Sequence, residues 1–80
     1  MEYDLIIKNT IKHLSALKHT ANQLLYDYVQ TRHITGDHHY GIQLKAQYIF
    51  MYHQLINYIQ SEYNYILHVA EKYVNDALNM

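Results

Sequence analysis

The chain contains no proline, and its two glycines, Gly36 and Gly41, both lie near its middle. Proline and glycine are the strongest punctuation a backbone carries, so their absence elsewhere leaves room for long helices joined by one reversal. The segment Thr35-Gly36-Asp37-His38-His39-Tyr40-Gly41 is where that reversal is expected. Gly36 suits a left-handed position just past a helix end, and Asp37 suits the N-cap of the helix that follows. A loop that stays open through Gly41 fits the residues equally well. The expected fold is therefore all-α, one domain spanning 1–80. It is an antiparallel two-helix hairpin with helices over about 3–34 and 42–78 and a turn over about 35–41.

Hydrophobic spacing supports helices and not strands. In the first half Ile7, Ile11, Leu14, Leu17, Ala21, Leu24 or Leu25, and Tyr28 recur in steps of three and four, while Lys8, Lys12, Ser15, Asn22 and Gln30 occupy the other side. In the second half Tyr52, Ile56, Ile59, Tyr63, Ile66, Ala70, Tyr73 and Ala77 alternate steps of four and three without a break, the seam of a left-handed coiled coil. A second apolar line runs beside it through Tyr48, Met51, Leu55, Tyr58, Tyr65 and Val69, widened by Leu67, Val74 and Leu78.

One partner helix covers one seam. A hairpin would leave the second line in water, and an exposed apolar surface of that extent marks an interface. Tyr48, Met51, Tyr52, Leu55, Tyr58, Ile59, Tyr63, Tyr65, Ile66, Val69 and Tyr73 are accordingly the expected partner-facing residues, with Ile59 and Ile66 also at the core of the hairpin. The partner is another helical protein or a second copy, giving a four-helix or hetero-oligomeric bundle. Tyrosine, present ten times, suits both an interface and a half-wet surface.

Composition narrows the alternatives. A chain of 80 residues buries a smaller share of its surface than a large domain and gains from helix packing or oligomerisation. Without cysteine it has neither disulfides nor Cys-ligated zinc. A formal charge of -1 provides no drive toward nucleic acid or an anionic membrane, and Lys8, Lys12 and Lys18 share their helix with Glu2, Asp4 and Asp27. No run is long and apolar enough for a membrane span. Glu2 and Asp4 ahead of Leu5-Ile6-Ile7 lack the basic start of a secretory signal, so synthesis in the cytosol is expected.

Sites for chemistry are sparse. His33, His38 and His39 stand near Asp37, a conceivable set of metal ligands, but neighbouring imidazoles on a helix do not converge easily and no His-Glu-x-x-His spacing occurs. Capping is the simpler role for these polar residues, and no metal or other cofactor is expected. His13, His19, His53 and His68 are scattered; His53 and His68, on the helix with both apolar lines, would weaken an interface on protonation if buried there. Ser15 and Ser61 have no base nearby in the pattern, and Asp27 with Arg32 or Lys45 reads as a surface ion pair. The expectation is a protein that is not an enzyme.

The layout resembles the WXG superfamily of small type VII secretion proteins, including the helical partners of LXG-type toxins. His39-Tyr40-Gly41 places an aromatic beside glycine where that family has Trp-x-Gly in its central turn, so Gly36, Asp37, His39, Tyr40 and Gly41 form the turn motif. The second helix then runs through Ala46, Phe50, Leu55, Ile59, Ile66 and Ala70 to Tyr73-Val74-Asn75-Asp76, where Tyr73 and Asp76 are similar to the family's C-terminal tyrosine-and-acid export signal. His39 replaces the tryptophan, and Asp76 follows Tyr73 by three residues where the export motif uses four. The resemblance implies a targeting chaperone or secretion-associated partner, cytoplasmic or exported without a cleaved signal, whose partner chain completes the export signal. A phage or mobile-element inhibitor of the anti-CRISPR kind, docking on a host protein, is the rival reading, and a structural homodimeric four-helix bundle is a third.

Overall fold

The computed structural model describes residues 4–34 and 37–79; Thr35 and Gly36, on which the expected left-handed glycine falls, lie outside them. The described residues are all-helical and form three helices, α1 (Leu5–Gln30), α2 (His38–Tyr63) and α3 (Leu67–Leu78).

Each boundary has a local cause. Asp4 caps α1, one carboxylate oxygen accepting the Ile6 and Ile7 N–H groups at 2.9 and 3.3 Å. The helix ends at Gln30, not near residue 34, in a Schellman closure. The His33 N–H donates to the Tyr28 carbonyl at 2.8 Å and the Arg32 N–H to the Val29 carbonyl at 3.2 Å. Arg32 (φ 53°) and His33 (φ 71°) thus both take left-handed conformations, so the chain begins to turn before Gly36. The closure also brings the His33 ring onto Tyr28, with centroids 4.2 Å apart and planes 2° from parallel.

Asp37 caps α2 as expected, accepting the Tyr40 N–H at 2.8 Å. His39, Tyr40 and Gly41 therefore belong to the first turns of α2 and not to an open loop, which corrects their placement as a turn motif. Gly41 is buried against α1, and a Cβ there would lie 3.0 Å from Leu25 Cγ and 3.6 Å from the Ala21 carbonyl. A missing side chain lets the two helices approach.

The single second helix expected over 42–78 is instead two. Asn64 adopts φ 56°, ψ 32°, and closes α2; Ile66, extended, begins α3. Asparagine is one of the few L-residues that visit the left-handed region routinely, so one residue interrupts an otherwise unbroken apolar alternation. The two-helix hairpin is thus a three-helix fold. The Tyr52 hydroxyl donates to Asn75 Oδ1 at 3.1 Å, so α3 runs back along the C-terminal half of α2.

This return explains the two apolar lines. Gly41, Tyr48 and Leu55, with Leu44, Met51 and Tyr58, keep seven-residue spacing along α2. The upper part of this set packs with Leu17, Ala21 and Leu24 of α1. Ile56 and Ile59 pack in the main core with Ala70 and Val74 of α3 and with Ile7 and Leu14 of α1. Two seams need two covering helices, and the chain supplies both. Ile59 is consequently buried within the fold, a correction to its placement at a partner interface, and Leu55 is 2% exposed. Ile66 is corrected in the other sense: as the N-cap of α3 it is 59% exposed and not a core position.

Candidate interaction surface

The main polar cluster joins the two ends of the hairpin. Asp4 Oδ2 accepts hydrogen bonds from Tyr58, at 2.9 Å, and from Tyr63, while Oδ1 caps α1. One carboxylate thereby fixes the start of α1 to the last turns of α2. The hydrogen bond from Tyr63 holds the Asp4 carboxyl below its ordinary range against an opposing desolvation, with Tyr58 and the two cap N–H groups adding to the effect. The same bond pushes the Tyr63 phenol up to about 12, and Tyr58 is raised for the same first reason. Two phenols donating to an ionised acid form a latch. The sequence signal for half of it, an acid directly before an apolar helical run, is that of an N-cap; the tyrosine partners, more than fifty residues away, carry no local signal.

At the other end Tyr28 carries two imidazoles, His33 and also His38, whose centroid lies 4.5 Å away. His38 Nδ1 is buried with no hydrogen-bond partner among the described residues. His39 contacts His38 edge-on. These rings pack the reversal, and among the described residues no three His, Asp or Glu side chains group to hold a metal. His53 and His68 are exposed, so neither is an imidazole buried within this fold.

The expected partner residues separate by position. Tyr48, Met51, Tyr52, Tyr58, Tyr63, Tyr65 and Tyr73 are half-buried and packed against the main core; Ile66 and Val69 are exposed near the start of α3. Burial raises the Tyr48 phenol. In the possible export signal, Tyr73 leans on the core and the exposed Asp76 pairs with Lys72 at 2.8 Å.

Met51, Leu55 and Tyr58, three of the expected partner residues, come together on one surface with residues of α1 that sequence reasoning did not single out. On the side where α1 and α2 lie open, Ile6 and Thr10 of α1 and Met51, Gln54, Leu55 and Tyr58 of α2 line a groove of about 240 Å³. Further along, His13, Leu17 and Thr20 face Tyr40 and Leu44 across a second groove. Phe50, 64% exposed, stands one helical turn from Gln54 on this side. Gln43 and Asn57, seven residues to either side of Phe50, lie on the same line and are also exposed. From Ala46 to Ser61 α2 contains no Lys, Arg, Asp or Glu, a stretch of sixteen residues. Exposed helix faces ordinarily carry charge. This one offers amides, a phenylalanine and a methionine.

No family model, curated protein or solved structure matches the chain. The surface must be read from its own chemistry. No helix of the described residues is long and apolar enough to cross a membrane.

Proposed function

We propose that this protein is a non-enzymatic helical interaction module that acts by laying the open face of α1 and α2 against another helical surface. The observation that supports this most is the charge-free stretch of α2 with Phe50 at its outer edge. Burying an unpaired charge at an interface is costly, whereas uncharged amides and apolar side chains desolvate cheaply. The resemblance to small type VII secretion proteins specifies one form of this role, in which a longer helical protein is the partner and carries the export signal. His39 in place of the family's tryptophan and the three-residue spacing from Tyr73 to Asp76 are in keeping with a partner that completes the signal. Docking on a host enzyme as an inhibitor would use the same surface.

Replacement of Phe50 by the photoreactive p-benzoylphenylalanine in the native host, with Glu71 on α3 as the control position, tests the proposal. Illumination should give a defined cross-linked protein from position 50 and none from position 71. Mass spectrometry of the product distinguishes a secretion partner, a host enzyme and a second copy. Equal labelling from both positions, or none from either, would overturn the interaction reading.

A further inference from the structure

We infer that the seat of α3 continues past the end of that helix, toward the reversal, and that an amphipathic helix of another protein with a carboxylate near its middle docks there, end to end with α3. This seat is on the other side of the α1–α2 pair from the open grooves, a second surface beyond the one proposed above.

Helix α3 is too short for its seat. Helices α1 and α2 have 26 residues each and α3 has 12. At about 1.5 Å per residue, α3 therefore covers about 18 Å of a length of about 39 Å. It runs back along α2 and ends at Leu78, just past the hydrogen bond between Tyr52 and Asn75. About 21 Å is left toward the reversal, enough for a helix of about fourteen residues.

The apolar pattern does not stop where α3 stops. Tyr52, Ile56, Ile59 and Tyr63 of α2 lie in the core with Ala70 and Val74 of α3. Counting back from Tyr52 in the same steps of three and four gives Ile49, Lys45 and Ile42 on the same side of α2. Ile49 and Ile42 are 53% and 49% exposed. On α1, Ile7 and Ile11 pack in that same core. Leu25 and Val29 stand eighteen residues beyond them, about five full helical turns, and so face the same way. Leu25 is half-buried and Val29 is exposed. The walls that hold α3 thus continue as apolar walls, and the occupant they take over their covered half is an amphipathic helix.

Charge specifies the occupant further. Helices α1 and α2 are antiparallel, Asp4 meeting Tyr58 while Ala21 and Leu25 meet Gly41. Lys18, about two turns on from Ile11, is therefore level with Lys45, one on each wall of the uncovered length. Both are exposed, and neither pairs with a carboxylate among the described residues. Helix α1 has no Asp or Glu from Leu5 to Tyr26, and α2 has none from His38 to Ser61. An acid near the middle of the docked helix neutralises the two lysines, whereas a base there meets two like charges.

Two labelled synthetic helices of about fourteen residues test this, both with alanine and valine at the spacing of Ala70 and Val74, one with a central glutamate and one with a central lysine. In anisotropy titrations of the intact chain the glutamate peptide should bind roughly tenfold more tightly. The double variant Lys18→Glu, Lys45→Glu should reverse the order of the two peptides at unchanged helical content by circular dichroism, and Ile42→Asp should abolish binding of both. Equal affinities, an order that the charge reversal leaves unchanged, or no binding of either peptide overturns the inference. Binding that Thr10→Arg blocks and Ile42→Asp does not puts the peptide in the open grooves, which overturns this seat and leaves the interaction reading above intact.

Discussion

Truncating Ile59 and Ile66 to alanine in parallel separates the three-helix fold from the hairpin with which it is most easily confused. In a continuous second helix the two positions are equivalent, one heptad apart on the same seam. Here Ile59 is 0% exposed among Leu55, Ile56, Leu14, Ala70 and Val74, while Ile66 caps α3 and is 59% exposed. Ile59→Ala removes three carbons from the core, a transfer loss of about 2.4 kcal/mol at about 0.8 kcal/mol each. A residual cavity raises the total toward the roughly 2 to 5 kcal/mol seen for such truncations. For a chain of this size a loss of about 2.5 kcal/mol lowers the Tm by roughly 10 to 20 °C. Total stability on the order of 4 to 12 kcal/mol leaves the variant folded but marginal. Ile66→Ala should stay within about 0.5 kcal/mol, the range of surface changes. Circular-dichroism melts at one fixed protein concentration decide it, since association makes the Tm concentration-dependent. Equal losses from both substitutions would restore the continuous helix and refute the return of α3.

Four further outcomes follow from named contacts. Because the folded Asp4 carboxyl titrates below its unfolded value, its contribution to stability is present above about pH 4 and lost as pH falls through the folded pKa; melts at a series of acidic pH values should show this for the native chain and not for Asp4→Asn. Tyr63 has the opposite sign: its folded value of about 12 means that its bond stabilises fully below the unfolded value, about 10, and is lost as pH rises through the folded one. Ultraviolet titration should therefore show a late-ionising phenol that Tyr63→Phe removes. Asn64→Gly should be neutral or stabilising and Asn64→Val destabilising by about 1 to 2 kcal/mol, measured by denaturant unfolding, because the position is left-handed. Asp37→Ala should cost about 1 kcal/mol through loss of the α2 cap, read by the same unfolding curves.

Much of the fold is legible in the residues, and the misreadings have physical causes. The helical periods, the core positions Ile7, Leu14, Leu17 and Ala21, and the capping role of Asp37 follow from local pattern. The presence of two seams on the second half is also legible, as is the need for two helices to cover them. That α3 provides one of them depends on Asn64, whose left-handed turn leaves the apolar alternation on either side undisturbed. Pattern therefore continues through a point where the backbone does not. The Asp4 latch depends on Tyr58 and Tyr63 arriving from more than fifty residues away, which tertiary packing alone determines. The α1 side of the open face, with Ile6, Thr10 and His13, carries no pattern that marks it out, whereas its α2 side is legible through Met51, Leu55 and Tyr58 of the second apolar line. Phe50, on the outer side of the same helix, is the residue to follow.

Hydroxyl-radical footprinting of the purified chain and of the chain recovered with its bound proteins from the native host tests the proposed open face most directly, because it reports which side a partner covers. In the complex Met51 and Tyr40 should lose reactivity several-fold, while Ile66 and Leu67 at the start of α3 react as they do in the purified chain. Protection that falls on α3, or a pattern that is the same with and without bound proteins, would contradict the proposal that this protein acts through the α1–α2 face.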